Sequence, residues 1–269
     1  MSPETSWTFS PGPLILVALL LGSYLWRWRA IRATPTGRRD APTWRLAVYL
    51  TGIVALAGAL FSPIDVLGEQ IFAMHMVQHV LLIDVVPILL LLGLTKVILR
   101  PATRLLHPVE TRLGFFGGPI FAVLVYVGLM WLWHVPTLYD AAVRHETVHV
   151  LEHVCFTFAG GLYWWHLLSP IRSRLALRGL GPVVYMAGTK VFVGLLGIFL
   201  TFAPNALYEV YEDQPRFWGL SALDDQALAG AIMAIEQSII MGIALAYLFV
   251  RALEESDRAD EREERFADV

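Results

Sequence analysis

The sequence predicts an all-α fold: a polytopic membrane protein, a bundle of seven transmembrane helices with the N-terminus outside and the C-terminus cytoplasmic. Three observations carry that expectation. The 269-residue chain is 57% hydrophobic and only 16% charged, with a mean hydropathy of +0.59, whereas a soluble domain is about one quarter charged. Apolar stretches near the roughly 20 residues that a helix needs to cross a ~30 Å hydrocarbon core recur seven times between short polar breaks. These stretches are continuous and lack period-two alternation, so their backbone groups must pair within each segment, and a β-barrel is excluded.

In chain order the spans read Pro13 to Trp28, Trp44 to Phe61, Gln70 to Leu99, Pro119 to His134, Glu146 to Leu168, Pro182 to Phe202 and Asp225 to Val250. The first lacks the basic leader and small-residue cleavage site of a secretory signal, so it is expected to stay as an anchor. The third contains Pro87, which should bend it. After the last span, "RALEESDRADEREERFADV" is a mixed-charge tail. Residues 1–252 are therefore expected to form the transmembrane domain and residues 253–269 a charged cytoplasmic tail.

Orientation follows from the basic residues, which favour cytoplasmic loops. Arg27, Arg29, Arg32, Arg38, Arg39 and Arg45 fill the first break; Lys96, Arg100, Arg104 and Arg112 the third; Arg172, Arg174 and Arg178 the fifth. The breaks around residues 64–69, 136–144 and 205–224 are neutral or acidic, and the N-terminal "MSPETSWTFS" has no basic side chain. Tryptophans near span ends, among them Trp26, Trp44, Trp131 and Trp165, fit an aromatic belt. A lone cysteine, Cys155, removes disulfide, CxxC and thiolate-cluster chemistry. A net charge of -3 gives no reason to expect nucleic acid.

Chemistry concentrates in histidine. His75 and His79, in "IFAMHMVQHVLLIDVVPILLLLGL", lie four residues apart on one helix and so share a face. His149 and His153, in "HETVHVLEHVCF", repeat that spacing. Both helices enter from the expected external side, so all four imidazoles fall within about three turns of that surface at ~1.5 Å per residue. His134 ends the fourth span and His145 precedes the fifth, at a similar level. A single buried histidine is ordinarily a hydrogen-bonded core residue, but two such pairs in a bilayer ask for a shared role. Imidazole sets of three or four suit copper, zinc, iron or nickel. Glu152 is placed either to orient an imidazole of the set or to make an interhelical hydrogen bond.

The segments "MHMVQHVLL", "WHVPTLYDAAVRHETVHVLEHVCFTFAGGLYWW", "LYEVY" and "DDQALAGAIM" resemble the CtaG family of caa3-type cytochrome c oxidase assembly factors. The resemblance runs from the third helix to the seventh. It implies seven helices in the bacterial plasma membrane, a role in maturing the oxidase copper centre, and metal ligation by His75, His79, His134, His149 and His153. The implied cargo is copper, as Cu(I) or Cu(II), and the implied partner is the oxidase subunit that carries the copper centre. "MAIEQS", Met233 to Ser238, departs from the family's usual Trp-Val-Pro-Gly type of continuation. Thioethers favour Cu(I), which makes Met233 a secondary ligand candidate beside Glu152 and His145, although methionine more often fills gaps between helices.

Three ionisable residues fall near mid-membrane: Asp84, Lys190 and Glu236. Such groups pair or line wet cavities. Lys190 and Glu236 are at comparable depth and are expected to form an ion pair. Nine residues from His75 should turn Asp84 to the opposite face, and an ion or proton path beneath the metal site is the lesser of its readings. Competing readings are an intramembrane zinc hydrolase, since "HVLEH" matches H-x-x-E-H with Glu152 as base, a haem protein with axial histidines, and a copper transporter. The sequence leaves oligomeric state open.

Overall fold

Local signals in the sequence set most helix starts. Pro11 opens α1 (Pro11–Arg32). Pro42 precedes α2 (Thr43–Phe61), and Ser62 caps α3 (Pro63–Gln70), its side chain accepting from the Ile64 amide. Proline suits a first helical turn, where its missing N–H would have no partner. Then follow α4 (Phe72–Gly93), α5 (Lys96–Leu113) capped by Thr95, α6 (Pro119–Trp133), α7 (Pro136–Arg144), α8 (Glu146–Leu168), α9 (Gly181–Phe202) and α10 (Ala222–Ala267). The computed structural model describes residues 2–171, 177 and 179–267, without the side chains of 104–111, 241, 251–252 and 255–267. Among the described residues every regular element is helical. The basic residues Arg104, Arg172, Arg174 and Arg178 that enter the orientation argument lie outside the described side chains.

Five segments are long and apolar enough to cross a membrane: Pro11–Arg32, Gly37–Phe61, Phe72–Gly93, Gly181–Phe202 and Ala222–Val250. The pair α6 and α7, bent by 76° at its break, makes a sixth if it is one span. The 23-residue α8 stands apart because it carries His149, Glu152, His153 and His166. Helix ends match the expected spans to within a few residues, with two exceptions. The third span stops at Gly93, ahead of the Thr95 cap, and α10 continues through the charged tail to Ala267.

Two devices place the site. Asp225 of α10 caps α4 from outside, its carboxylate accepting from the amides of Phe72 (2.8 Å) and Ala73 (2.9 Å), donors that the helix itself leaves unpaired. Lower in α4, Leu81–Val85 forms a π-helical turn. Pro87 accounts for it: proline has no N–H to offer the carbonyl of Ile83 four residues back, and its ring crowds that oxygen. The freed Ile83 carbonyl lies against α8 at Gly160, where a Cβ would overlap it. Glycine there lets α4 and α8 close on each other, which turns the two histidine pairs face to face. A similar approach joins α9 to α10, since a Cβ on Gly230 would lie 2.6 Å from the Gly197 carbonyl oxygen.

The N-terminal segment, α3, α7 and the 203–221 connection gather at one end of the bundle. Thr8 donates its amide to the Phe61 carbonyl at 3.0 Å. Tyr208 donates to the His134 carbonyl (3.0 Å) and Tyr211 to that of Gly68 (2.7 Å). These segments cover the mouth between α4 and α8.

Candidate metal centre

His75 and His79 stand one turn apart on α4, with ring centroids 4.2 Å apart; His149 and His153 do the same on α8 at 4.1 Å. Across the gap, His75 lies 5.3 Å from His149 and His79 lies 5.9 Å from His153. Glu152 reaches between the pairs: one carboxylate oxygen is 3.4 Å from His75 Nε2 and 3.5 Å from His79 Nε2. These are ion-pair distances without hydrogen-bond alignment. Glu152 therefore sits inside the cluster, facing the opposite helix.

A further carboxylate joins from α3. Asp65, His149 and His153 present ligand atoms within 4.8 Å of one another, as do His75, His149 and Glu152. His149 belongs to both sets, so the two candidate groups share one imidazole. Asp65 is held in place by Gln78, whose amide donates to it (2.7 Å) and to the Ala59 carbonyl (2.8 Å), and by the Thr8 hydroxyl (2.9 Å). The Gly68 carbonyl, 3.3 Å from His75 Nδ1, assigns the proton to that nitrogen and leaves Nε2 free to ligate.

The donor set fits a metal ion. Nε2 of His75, His79, His134, His149 and His153, Nδ1 of His79 and both oxygens of Glu152 are buried without a hydrogen-bond partner. Buried polar atoms are nearly always paired, because each lost partner costs ~1–3 kcal/mol. The unprotonated imidazole nitrogens and the Glu152 oxygens among them face one gap, where a soft or borderline cation would satisfy them. Around the mouth, burial and the nearby Asp65 carboxylate push the Glu69 carboxyl up from its ordinary value. Burial also holds the Tyr211 phenol well above its ordinary range, so it stays a hydrogen-bond donor over the cluster.

The remaining sequence candidates divide. His134 is buried beside Tyr139, its Nδ1 2.6 Å from the Met130 carbonyl, and stands next to the cluster outside both compact sets. His145 is exposed at the N-cap of α8 and joins neither set. Met233 is buried one level deeper, lining a cavity with His79. Asp84 is not on a separate face: the wide π turn resets the phase of α4, and Asp84 lines that same cavity. The expected Lys190–Glu236 ion pair is not formed among the described residues. Gln237 instead bridges Glu236 (3.0 Å) and Asp84 (3.2 Å), so α10 turns this carboxylate toward α4 and away from Lys190.

Sequence reasoning missed Asp65. Its position three residues after Ser62 reads as an ordinary capping pattern, and only the fold of α3 against α8 brings it to His149 and His153. Tyr139 and Tyr211, whose hydroxyls meet at 3.3 Å above the cluster, carried a faint signal in the "TLYDAAV" and "LYEVY" segments.

A model of the cytochrome c oxidase caa3 assembly factor family matches residues 22–255. The chain belongs to that family. Membership and the apolar helices make it a multi-pass bacterial membrane protein. Among curated relatives, an uncharacterized protein of Mycobacterium leprae (strain TN) is 27% identical over 253 residues, covering 86% of this chain and 38% of the relative. Uncharacterized proteins of Mycobacterium bovis and Mycobacterium tuberculosis match at the same 27% over the same shares. The chain thus spans about two fifths of the length of the curated relatives it matches. No solved structure matches the chain.

Proposed function

We propose that this assembly factor is a membrane copper carrier, which binds copper between α4 and α8 and passes it to the cytochrome c oxidase subunit that carries the copper centre. The observation behind this reading is the convergence of unpaired ligand atoms from His75, His79, His149, His153, Asp65 and Glu152 on one buried gap. In this reading the chain crosses the membrane seven times, α8 included, with its N-terminus outside. The cluster then lies in the external leaflet, beneath the segments that cover it.

The chemistry is ligand exchange. Copper is the cargo; it meets neutral imidazoles first and is released when ligands of the acceptor replace them one at a time. In this reading the role of the site is transfer of the ion. Glu152 offsets the positive charge of the ion and keeps the imidazoles oriented. His134, buried with its Nε2 unpartnered, serves in this reading as an exchange ligand as the ion leaves.

Two experiments test the reading. Oxidase copper content and activity are measured in membranes from cells whose only copy of the chain carries His79→Ala with His153→Ala. Copper-depleted oxidase is the expected outcome, and fully metallated oxidase would contradict it. The second uses pH: imidazole titrates near ~6.5 and its protonated form cannot ligate, so bound copper should fall as pH drops from neutral to 5. Copper affinity that is the same at pH 5 and pH 7.5 would count against imidazole ligation.

A further inference from the structure

Immediately beneath the histidine cluster lies a cavity of about 10 Å³, room for one water molecule or one bare ion. Met76 of α4, Met130 of α6 and Met233 of α10 converge on it, with His79 on its wall. All three methionines are buried, at 0%, 3% and 4% exposure. Methionine is the side chain best able to fill an irregular gap. Three of the seven methionines in the chain surround a gap that stays open, which is the reverse of what packing alone would give.

The polar lining points to a cation. Glu236 Oε1 and Gln237 Oε1, on residues that line the cavity, are buried without partners. The Gln237 amide nitrogen is committed to Asp84 and Glu236, so its carbonyl oxygen is left as an acceptor. Asp84 accepts from the Tyr126 hydroxyl (2.8 Å), the Trp164 indole (2.7 Å) and Gln237 (3.2 Å). Thioethers are soft and neutral, and they select Cu(I) over Cu(II), Zn(II) and the hard cations.

We propose that this cavity is a second copper site, specific for the +1 state, in which the thioethers of Met76, Met130 and Met233 hold the ion below His79. The proposal rests on the copper-carrier reading and deepens it. His79 borders both sites, so an ion can pass from imidazole to thioether ligation by exchanging one ligand at a time, without a change in oxidation state. The thioether site cannot be emptied by protonation, so it keeps its copper in acid that clears the imidazoles.

The test uses the full chain in detergent, loaded anaerobically with Cu(I) alone against a competing chelator, with bound equivalents counted and copper–sulfur scattering read by X-ray absorption. The parent is compared with Met76→Leu/Met130→Leu/Met233→Leu and with His149→Ala/His153→Ala. Leucine for methionine conserves volume and is well tolerated in cores; if the triple variant does not fold, Met233→Leu alone serves, with at least a tenfold loss of affinity expected at the sulfur site. The proposal expects sulfur scattering in the parent, its loss with about one equivalent of copper in the methionine variant, and its retention in the histidine variant. Equal stoichiometry in parent and methionine variant with nitrogen-only scattering would overturn the thioether site and leave the histidine site standing. No copper in any of the proteins would overturn the carrier reading, and this site with it.

Discussion

Two polar stations on α4, five residues apart, are equally buried and treated in opposite ways. Asp84 is fully buried, and both its oxygens are satisfied by Tyr126, Trp164 and Gln237 from three other helices. His79 is 2% exposed, yet neither ring nitrogen has a hydrogen-bond partner. A satisfied buried group ties helices together, whereas an unsatisfied one adds nothing to the bundle and stays available to a ligand. The lower station is thus a node of the fold, and the upper one is a site held open by it.

That contrast can be broken by mutation, and the effects should fall in a definite order. Asp84→Ala should be the most damaging, because it leaves three buried donors without an acceptor at ~1–3 kcal/mol each. Thermal unfolding in detergent should show a collapse of Tm or no folded protein. Gly160→Ala comes next: its methyl would overlap the Ile83 carbonyl, and overpacking of this kind costs ~1–3 kcal/mol. It should lower Tm and weaken metal retention together, since α4 and α8 are pushed apart. Asp225→Ala removes the carboxylate that caps Phe72 and Ala73, a loss of ~0.5–2 kcal/mol; a Tm unchanged within error would show that the cap does not position α4. Tyr211→Phe removes the hydrogen bond to Gly68 and the contact with the Tyr139 hydroxyl, ~0.5–1.5 kcal/mol for each bond, and should leave metal content intact. Smallest on stability is His79→Ala with His153→Ala, for which Tm should hold or rise while the metal bound at the histidine cluster is lost. A Tm loss as large as that of Asp84→Ala would make the histidines a second node and erase the contrast.

The sequence made much of this legible, and the reasons for its failures are physical. The boundaries of α8 and the facing histidine pairs follow from helical period and apolar run length, which are local properties. Pro87 announced a disturbance in α4, but not that a π turn would bring Asp84 round to the cavity beneath His79. Helix rotation decides whether Glu236 meets Lys190 or joins Gln237 and Asp84, and rotation is set by packing such as the Gly197–Gly230 contact, which depth alone cannot supply. Asp65 was hidden twice, by a capping pattern that explains it locally and by the 84 residues that separate it from His149. Glu152 was legible as a neighbour of the cluster, while its place between His75 and His79 required the close approach that Gly160 permits.

The most direct test of the central claim is the metal content of the purified, detergent-solubilised protein, measured beside a variant with alanine at His75, His79, His149 and His153. Copper in the parent and its loss from the histidine cluster in the variant, with the bundle still folded, is the result this account predicts. Equal copper in the two proteins, or none in a parent exposed to copper, would contradict it and return the four histidines to a structural role.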